Sequence, residues 1–156
     1  MKRVLVFLGL VLTFALSQNQ NDKELEKMIF ENPKFLSYDE NCTKGDSWAC
    51  SEIGMTFYKY QNNEKALEYF TKACDIEFCV GCELKGFLLV QKGEFEEAFE
   101  TFTKACDNNS SYSCVNLAKM YDLGYGVEQN TTIATELYMK ACKLGDMGAC
   151  QMLNVR

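Results

Sequence analysis

The sequence predicts an all-α protein, an α-solenoid of stacked antiparallel helix hairpins with one disulfide at each hairpin junction. Three observations predict it. Eight of the nine cysteines fall into four pairs of identical spacing, Cys42/Cys50, Cys74/Cys82, Cys106/Cys114 and Cys142/Cys150. The pairs recur every 32, 32 and 36 residues, which is the period of a helix-hairpin repeat. Within each period, alanine, an aromatic and alanine stand at i, i+4 and i+7: Ala66-Phe70-Ala73, Ala98-Phe102-Ala105 and Ala134-Tyr138-Ala141. That spacing makes one narrow apolar face of a helix.

The first element is an export signal. Met1, Lys2 and Arg3 precede an apolar run over residues 4–14, and Ala15-Leu16-Ser17 follows with small residues where a signal peptidase reads. About 13 apolar residues fall short of the roughly 20 that span a bilayer. Residues 1–17 therefore read as a cleaved signal peptide, with no membrane insertion of the mature chain. Residues 18–41 read as a degenerate half-repeat interrupted by Pro33, the one proline of the chain; its Tyr38 and Cys42 stand 32 residues before Phe70 and Cys74.

Residues 42–154 form the array. The alanine–aromatic segments, residues 63–75, 94–107 and 130–143, are helix B of each repeat. Helix A covers residues 46–60, 79–91 and 111–123. There Gly54, Gly86 and Ala118 let backbones approach, and Phe57, Leu89 and Tyr121 follow by three. Turn-formers separate A from B: Gln61-Asn62-Asn63, Lys92-Gly93, and the longer Gly124-Tyr125-Gly126-Val127, whose four extra residues account for the 36-residue interval. Asp46, Asn109 or Ser110, and Asp146 stand where the next helix A needs a cap. Residues 146–155 read as a lone terminal helix A.

The cysteine spacing argues for pairing across a turn. Eight residues along one straight helix separate Cα atoms by roughly 12 Å, and a disulfide tolerates at most about 7 Å. The chain must turn between partners, and Gly45, Asn108-Asn109 and Gly145 lie where it should. Zinc would want closer ligands and often histidine; the chain has no histidine, and we expect no metal and no cofactor. Cys79 is left over as a free or intermolecular thiol, although Cys79-Val80-Gly81-Cys82 has the form of a redox motif. So many cysteines in an exported chain place it in the periplasm or outside the cell. Without Lys2 and Arg3 the remaining 14 basic and 22 acidic residues give a charge of −8, which repels nucleic acid and anionic lipid.

The ordered glycine or alanine, aromatic, alanine set resembles the tetratricopeptide repeat. From Cys114 to Cys150 the order Leu117-Ala118-Lys119-Met120-Tyr121, Gly124-Tyr125-Gly126-Val127 and Lys140-Ala141-Cys142-Lys143-Leu144-Gly145-Asp146 is similar to the Sel1-like repeat. With the Lys-Ala-Cys endings and a cysteine eight residues on, the chain resembles the Helicobacter cysteine-rich protein family over roughly residues 38–154. Repeats one and two lack the Gly-x-Gly loop and are tetratricopeptide-like in length. The resemblance implies a penicillin-binding protein or β-lactamase. The residues supply no catalytic motif for it: no serine is followed by lysine at the third position, and neither Ser-Asp-Asn nor Lys-Thr-Gly occurs. Whether the chain is an enzyme stays open. The resemblance also implies a ligand groove along helix A, for a protein or peptide, a cell-wall fragment of peptidoglycan type, or a β-lactam. Its register selects Trp48, Ser51, Met55 and Tyr58, then Glu83, Phe87 and Val90, then Tyr112, Lys119 and Asp122. A slip of that register would make the same rings core.

Three of the Asn-x-Ser/Thr sequons, at Asn41, Asn109 and Asn130, carry an acidic residue two positions earlier, Asp39, Asp107 and Glu128. This resembles the extended acceptor of bacterial oligosaccharyltransferases, and the three are candidate glycosylation sites.

Overall fold

A computed structural model describes residues 23–27, 31–76 and 80–154; the expected signal segment and Cys79 lie outside them. After a helical stretch at 23–27, the labelled helices run in order: α1 Pro33–Thr43, α2 Ser47–Lys59, α3 Asn63–Ile76, α4 Val80–Lys92, α5 Phe95–Asp107, α6 Ser111–Leu123, α7 Thr131–Lys143 and α8 Met147–Asn154. The described residues contain no strand. Helices α2, α4, α6 and α8 are the A type, and α1, α3, α5 and α7 end one or two residues past the first cysteine of a pair, as the B type does. Each helix packs on the next, and α2 also reaches α4, so the hairpins stack into a solenoid.

The helix ends follow from local chemistry. Asp46 Oδ1 accepts from Ala49 N at 3.0 Å, Asp146 Oδ1 from Ala149 N at 2.8 Å, and Ser110 Oγ from Ser113 N at 3.0 Å. Each satisfies an amide of the first turn that has no partner within its helix. Asn130 Oδ1 opens α7 the same way, accepting from Thr132 N and Ile133 N at 3.1 Å. Pro33 lies at the start of α1, where its missing amide costs nothing and its fixed φ fits. Upstream, Glu26 pairs with Lys65 of α3 at 3.3 Å and Leu25 packs on the core.

The alanine–aromatic stripe is the core. Ala66, Phe70, Ala73, Ala98, Phe102, Ala105, Ala134, Tyr138 and Ala141 are all buried. The small residues of helix A face those rings. A Cβ added at Gly54 would stand 2.6 Å from Phe70, and one at Gly86 2.5 Å from Phe102. At these two crossings glycine leaves room for the ring, since a Cβ would overlap it. Leu67 packs against both the N-terminal and the C-terminal core clusters, so the apolar interior runs through the stack.

Four disulfides close the junctions: Cys42–Cys50, Cys74–Cys82, Cys106–Cys114 and Cys142–Cys150, with Cα separations of 4.8, 4.4, 4.7 and 4.8 Å. Because Cys82 is bonded to Cys74, the Cys-Val-Gly-Cys tetrapeptide holds no disulfide of its own. The long loop after α6 folds back on the preceding hairpin. Tyr125 stacks on Phe95 at 4.7 Å, and a Cβ on Gly126 would stand 2.5 Å from the Phe95 carbonyl oxygen. Among the described residues no helix is long and apolar enough to cross a membrane.

Candidate binding groove on the helix A face

Equivalent positions of successive helices A build one surface. Six residues after the first cysteine of each pair stand Trp48, Val80, Tyr112 and Gly148; nine after stand Ser51, Glu83, Val115 and Gln151. Thirteen after stand Met55, Phe87 and Lys119, and sixteen after stand Tyr58, Val90 and Asp122. Stacking sets such rows side by side at roughly the 8–10 Å of helix packing.

The exposed members are mostly apolar. Trp48 leaves 56% of its surface in water, and Met55, Val80, Phe87 and Tyr112 are also exposed. Singly exposed apolar residues are ordinary, whereas a row of them along one face is a contact surface in waiting. Rings steady one another along it. Tyr38 meets Trp48 edge-on at 5.4 Å, and Tyr58 meets Phe87 edge-on at 6.2 Å. The Tyr58 hydroxyl donates to Gln91 Oε1 at 3.1 Å, tying α2 to α4.

Two cavities lie in the row. The first, about 310 Å³, opens between α4 and α6 and is lined by Val80, Glu83, Leu84, Phe87 and Tyr112. Glu83 is half-buried there, and its Oε1 accepts from Ser110 Oγ at 2.6 Å. Ser110 is itself the cap of α6 and lies 2.9 Å from Ser113 Oγ, so the carboxylate is held by the next repeat. The second cavity, about 430 Å³, lies between α6 and α8, with Lys119, Val115, Asp146 and Met152 on its walls.

The expected groove residues therefore divide. Glu83, Phe87 and Tyr112 share one cavity, and Lys119 lines the other. Trp48 and Met55 lie exposed on α2. Ser51 does not fit a groove role: it is 4% exposed, and its hydroxyl donates to the Ser47 carbonyl at 3.0 Å. The reason is its size, for a serine between bulkier neighbours sinks into the helix crossing and satisfies itself on its own backbone. Val90 packs against the C-terminal core. Asp122 is half-buried and engaged within the fold, its carboxylate accepting from Tyr138 Oη at 3.3 Å and its carbonyl from Gln129 Nε2 at 2.6 Å. Val80 and Leu84 were absent from the expected set. The 32-residue period could have found Val80, which stands midway between Trp48 and Tyr112.

Among the described residues no histidine, cysteine and carboxylate cluster forms a metal site. Of the sequons, Asn41 lies on α1 and Asn109 in the α5–α6 turn with φ of +65°; Asn130 is the α7 cap, and all three are exposed.

The Sel1 repeat family matches residues 52–76 and 111–146. Those two stretches are Sel1 repeats. The first of these stretches lies in a hairpin that has tetratricopeptide length and no Gly-x-Gly loop, so the family's pattern tolerates the shorter turn. Among solved structures, the chain is similar to cysteine rich protein B of Helicobacter pylori, at 27% identity and a TM-score of 0.60, covering 84% of this chain and 96% of that one. A Sel1 repeat protein from Oxalobacter formigenes matches at 20% identity and a TM-score of 0.69, covering 80% and 100%. A protective antigen of uropathogenic Escherichia coli with an SLR fold matches at 18% identity and 0.69; this chain spans 27% of its length. The last two comparisons speak for the fold alone. A comparison with curated protein sequences finds no significant match.

Proposed function

We propose that the Sel1 array is an exported scaffold that binds an extended peptide, or an exposed segment of a partner protein, along its helix A face. The α4–α6 cavity carries this reading: it is apolar, open to water, and set in a row of exposed rings. Large rings with a polar handle are frequent binding anchors, and stacked hairpins present such rows to extended ligands. The four disulfides and the signal-like start fit an oxidising compartment, periplasmic or extracellular. The exposed sequon asparagines are open to glycosylation there, which an intact mass of the exported protein would register.

The test is selection of a phage-displayed random peptide library on the oxidised chain. Enriched peptides should lose binding to a Trp48→Ala/Phe87→Ala variant. Peptides indifferent to both replacements, or no enrichment at all, would sink the groove.

The β-lactam activity implied by the resemblance would need an activated nucleophile. Ser110 touches the carboxylate of Glu83, yet it is buried and already serves as a helix cap. Nitrocefin turnover, if any is measured, is therefore expected to be slow and to survive Ser110→Ala; a variant that abolishes turnover without unfolding would favour the enzyme.

A further inference from the structure

Glu83 is an odd residue for an apolar cavity. Its walls, Val80, Leu84, Phe87 and Tyr112, are aliphatic or aromatic, and the carboxylate enters from the first turn of α4. Ser110 Oγ fixes one of its oxygens at 2.6 Å. A carboxylate offers about four acceptor sites, so one hydroxyl leaves most of that capacity to something else. Lys85, two residues on, does not supply it, being paired with Glu97 of α5 at 3.0 Å.

We infer that this cavity takes one basic side chain of the bound peptide, arginine before lysine, with its aliphatic stem against Leu84 and Val80 and its cation on Glu83. The inference rests on the peptide-binding reading above and names what the groove selects. Size is the first argument: about 310 Å³ is at the lower end of ligand cavities, roughly 300–1,000 Å³, and suits one long side chain. Chemistry is the second. An apolar side chain would cover Glu83 and desolvate a charge with no cation to offset it, which is costly. An acidic one would be repelled, both by Glu83 and by a chain of net charge −6. A guanidinium satisfies all the walls at once, because its stem is apolar, its fork binds a carboxylate, and its plane can lie against Phe87 or Tyr112. The conflict between an apolar wall and a fixed anion is resolved by a ligand that is both.

The experiment uses peptides enriched on the oxidised full chain and a Glu83→Gln variant. Glutamine keeps an oxygen to accept from Ser110, so the α6 cap survives; unchanged circular dichroism and an unchanged melt confirm that. The enriched peptides should share an arginine or lysine at one fixed position. Replacing that arginine by citrulline, which keeps the shape and removes the charge, should weaken binding to the natural chain at least about tenfold. Against Glu83→Gln the same replacement should cost much less, since the two changes remove one interaction. An equal loss against both proteins overturns the inference, as does enrichment of groove-dependent peptides without a common basic residue; in both cases the groove stands. If no enriched peptide depends on Trp48 and Phe87, the groove reading falls and this inference falls with it.

Discussion

Phe70 and Trp48 are both large rings, and their surroundings give them opposite duties. Phe70 is 1% exposed and sits in the notch left by Gly54, while Trp48 keeps more than half its surface in water. Truncating a buried phenylalanine typically costs about 3–5 kcal/mol. Phe70→Ala should therefore lower the thermal midpoint well below that of Trp48→Ala or Phe87→Ala, measured by circular dichroism melts. Equal losses would make the two exposed rings packing residues and remove them from the groove. Tyr69 offers a second measurement. Burial, with the Asp39 charge next, pushes its phenol up to about 12. Its folded value lies above the ordinary one near 10, so the stability linked to its protonated form is complete below about pH 10 and is lost as pH rises toward 12. Ultraviolet titration should show a late phenolate rise that Tyr69→Phe lacks. At this scale the sequence told core from surface well where a residue recurs with the period, as the alanines and Phe70, Phe102 and Tyr138 do. It failed at Ser51, because a register carried over by position says nothing of how deep a small side chain sinks between larger neighbours.

Helices and their junctions were the most legible elements. Their ends lay within one residue of the expected bounds at most sites because caps and turn-formers are local chemistry: Asp46, Ser110 and Asp146 each hold an amide of the following turn. Crossings are harder to read. The row of Gly54, Gly86 and Ala118 hinted at close approach, but only the fold shows that two glycines face whole rings. Gly86→Ala would bring a methyl group to 2.5 Å from Phe102, and overpacking of that kind costs about 1–3 kcal/mol. Gly45→Ala meets no atom within 4 Å but sits at φ +93°, so its smaller loss is a backbone cost. Denaturant melts of both variants separate crowding from strain; a harmless Gly86→Ala would mean that α4 and α5 can slide apart. The cavities were not legible, since each needs side chains 25 or more residues apart in sequence, as Phe87 and Tyr112 are.

A stack of hairpins in which each helix packs mainly on its neighbours has an elongated core built from near-neighbour contacts rather than one globular centre. Stability then comes from local pairs, and each of the four junctions adds a covalent one. Chain entropy assigns about 2.6 kcal/mol to closing a nine-residue loop, and about 10 to four such loops. The loops are successive and none encloses another, so their contributions add more nearly than those of nested bridges would. That total is comparable to the whole folding free energy of a small domain, about 5–15 kcal/mol. Full reduction should thus move the urea midpoint sharply down and leave the chain largely unfolded near body temperature. Replacing one pair alone, Cys106→Ser with Cys114→Ser, should cost about 2–4 kcal/mol and leave the N-terminal hairpins helical, because their contacts are their own. Both measurements are urea melts followed by circular dichroism. A reduced chain as resistant as the oxidised one would show that packing alone carries the solenoid. The fold would then not depend on an oxidising compartment.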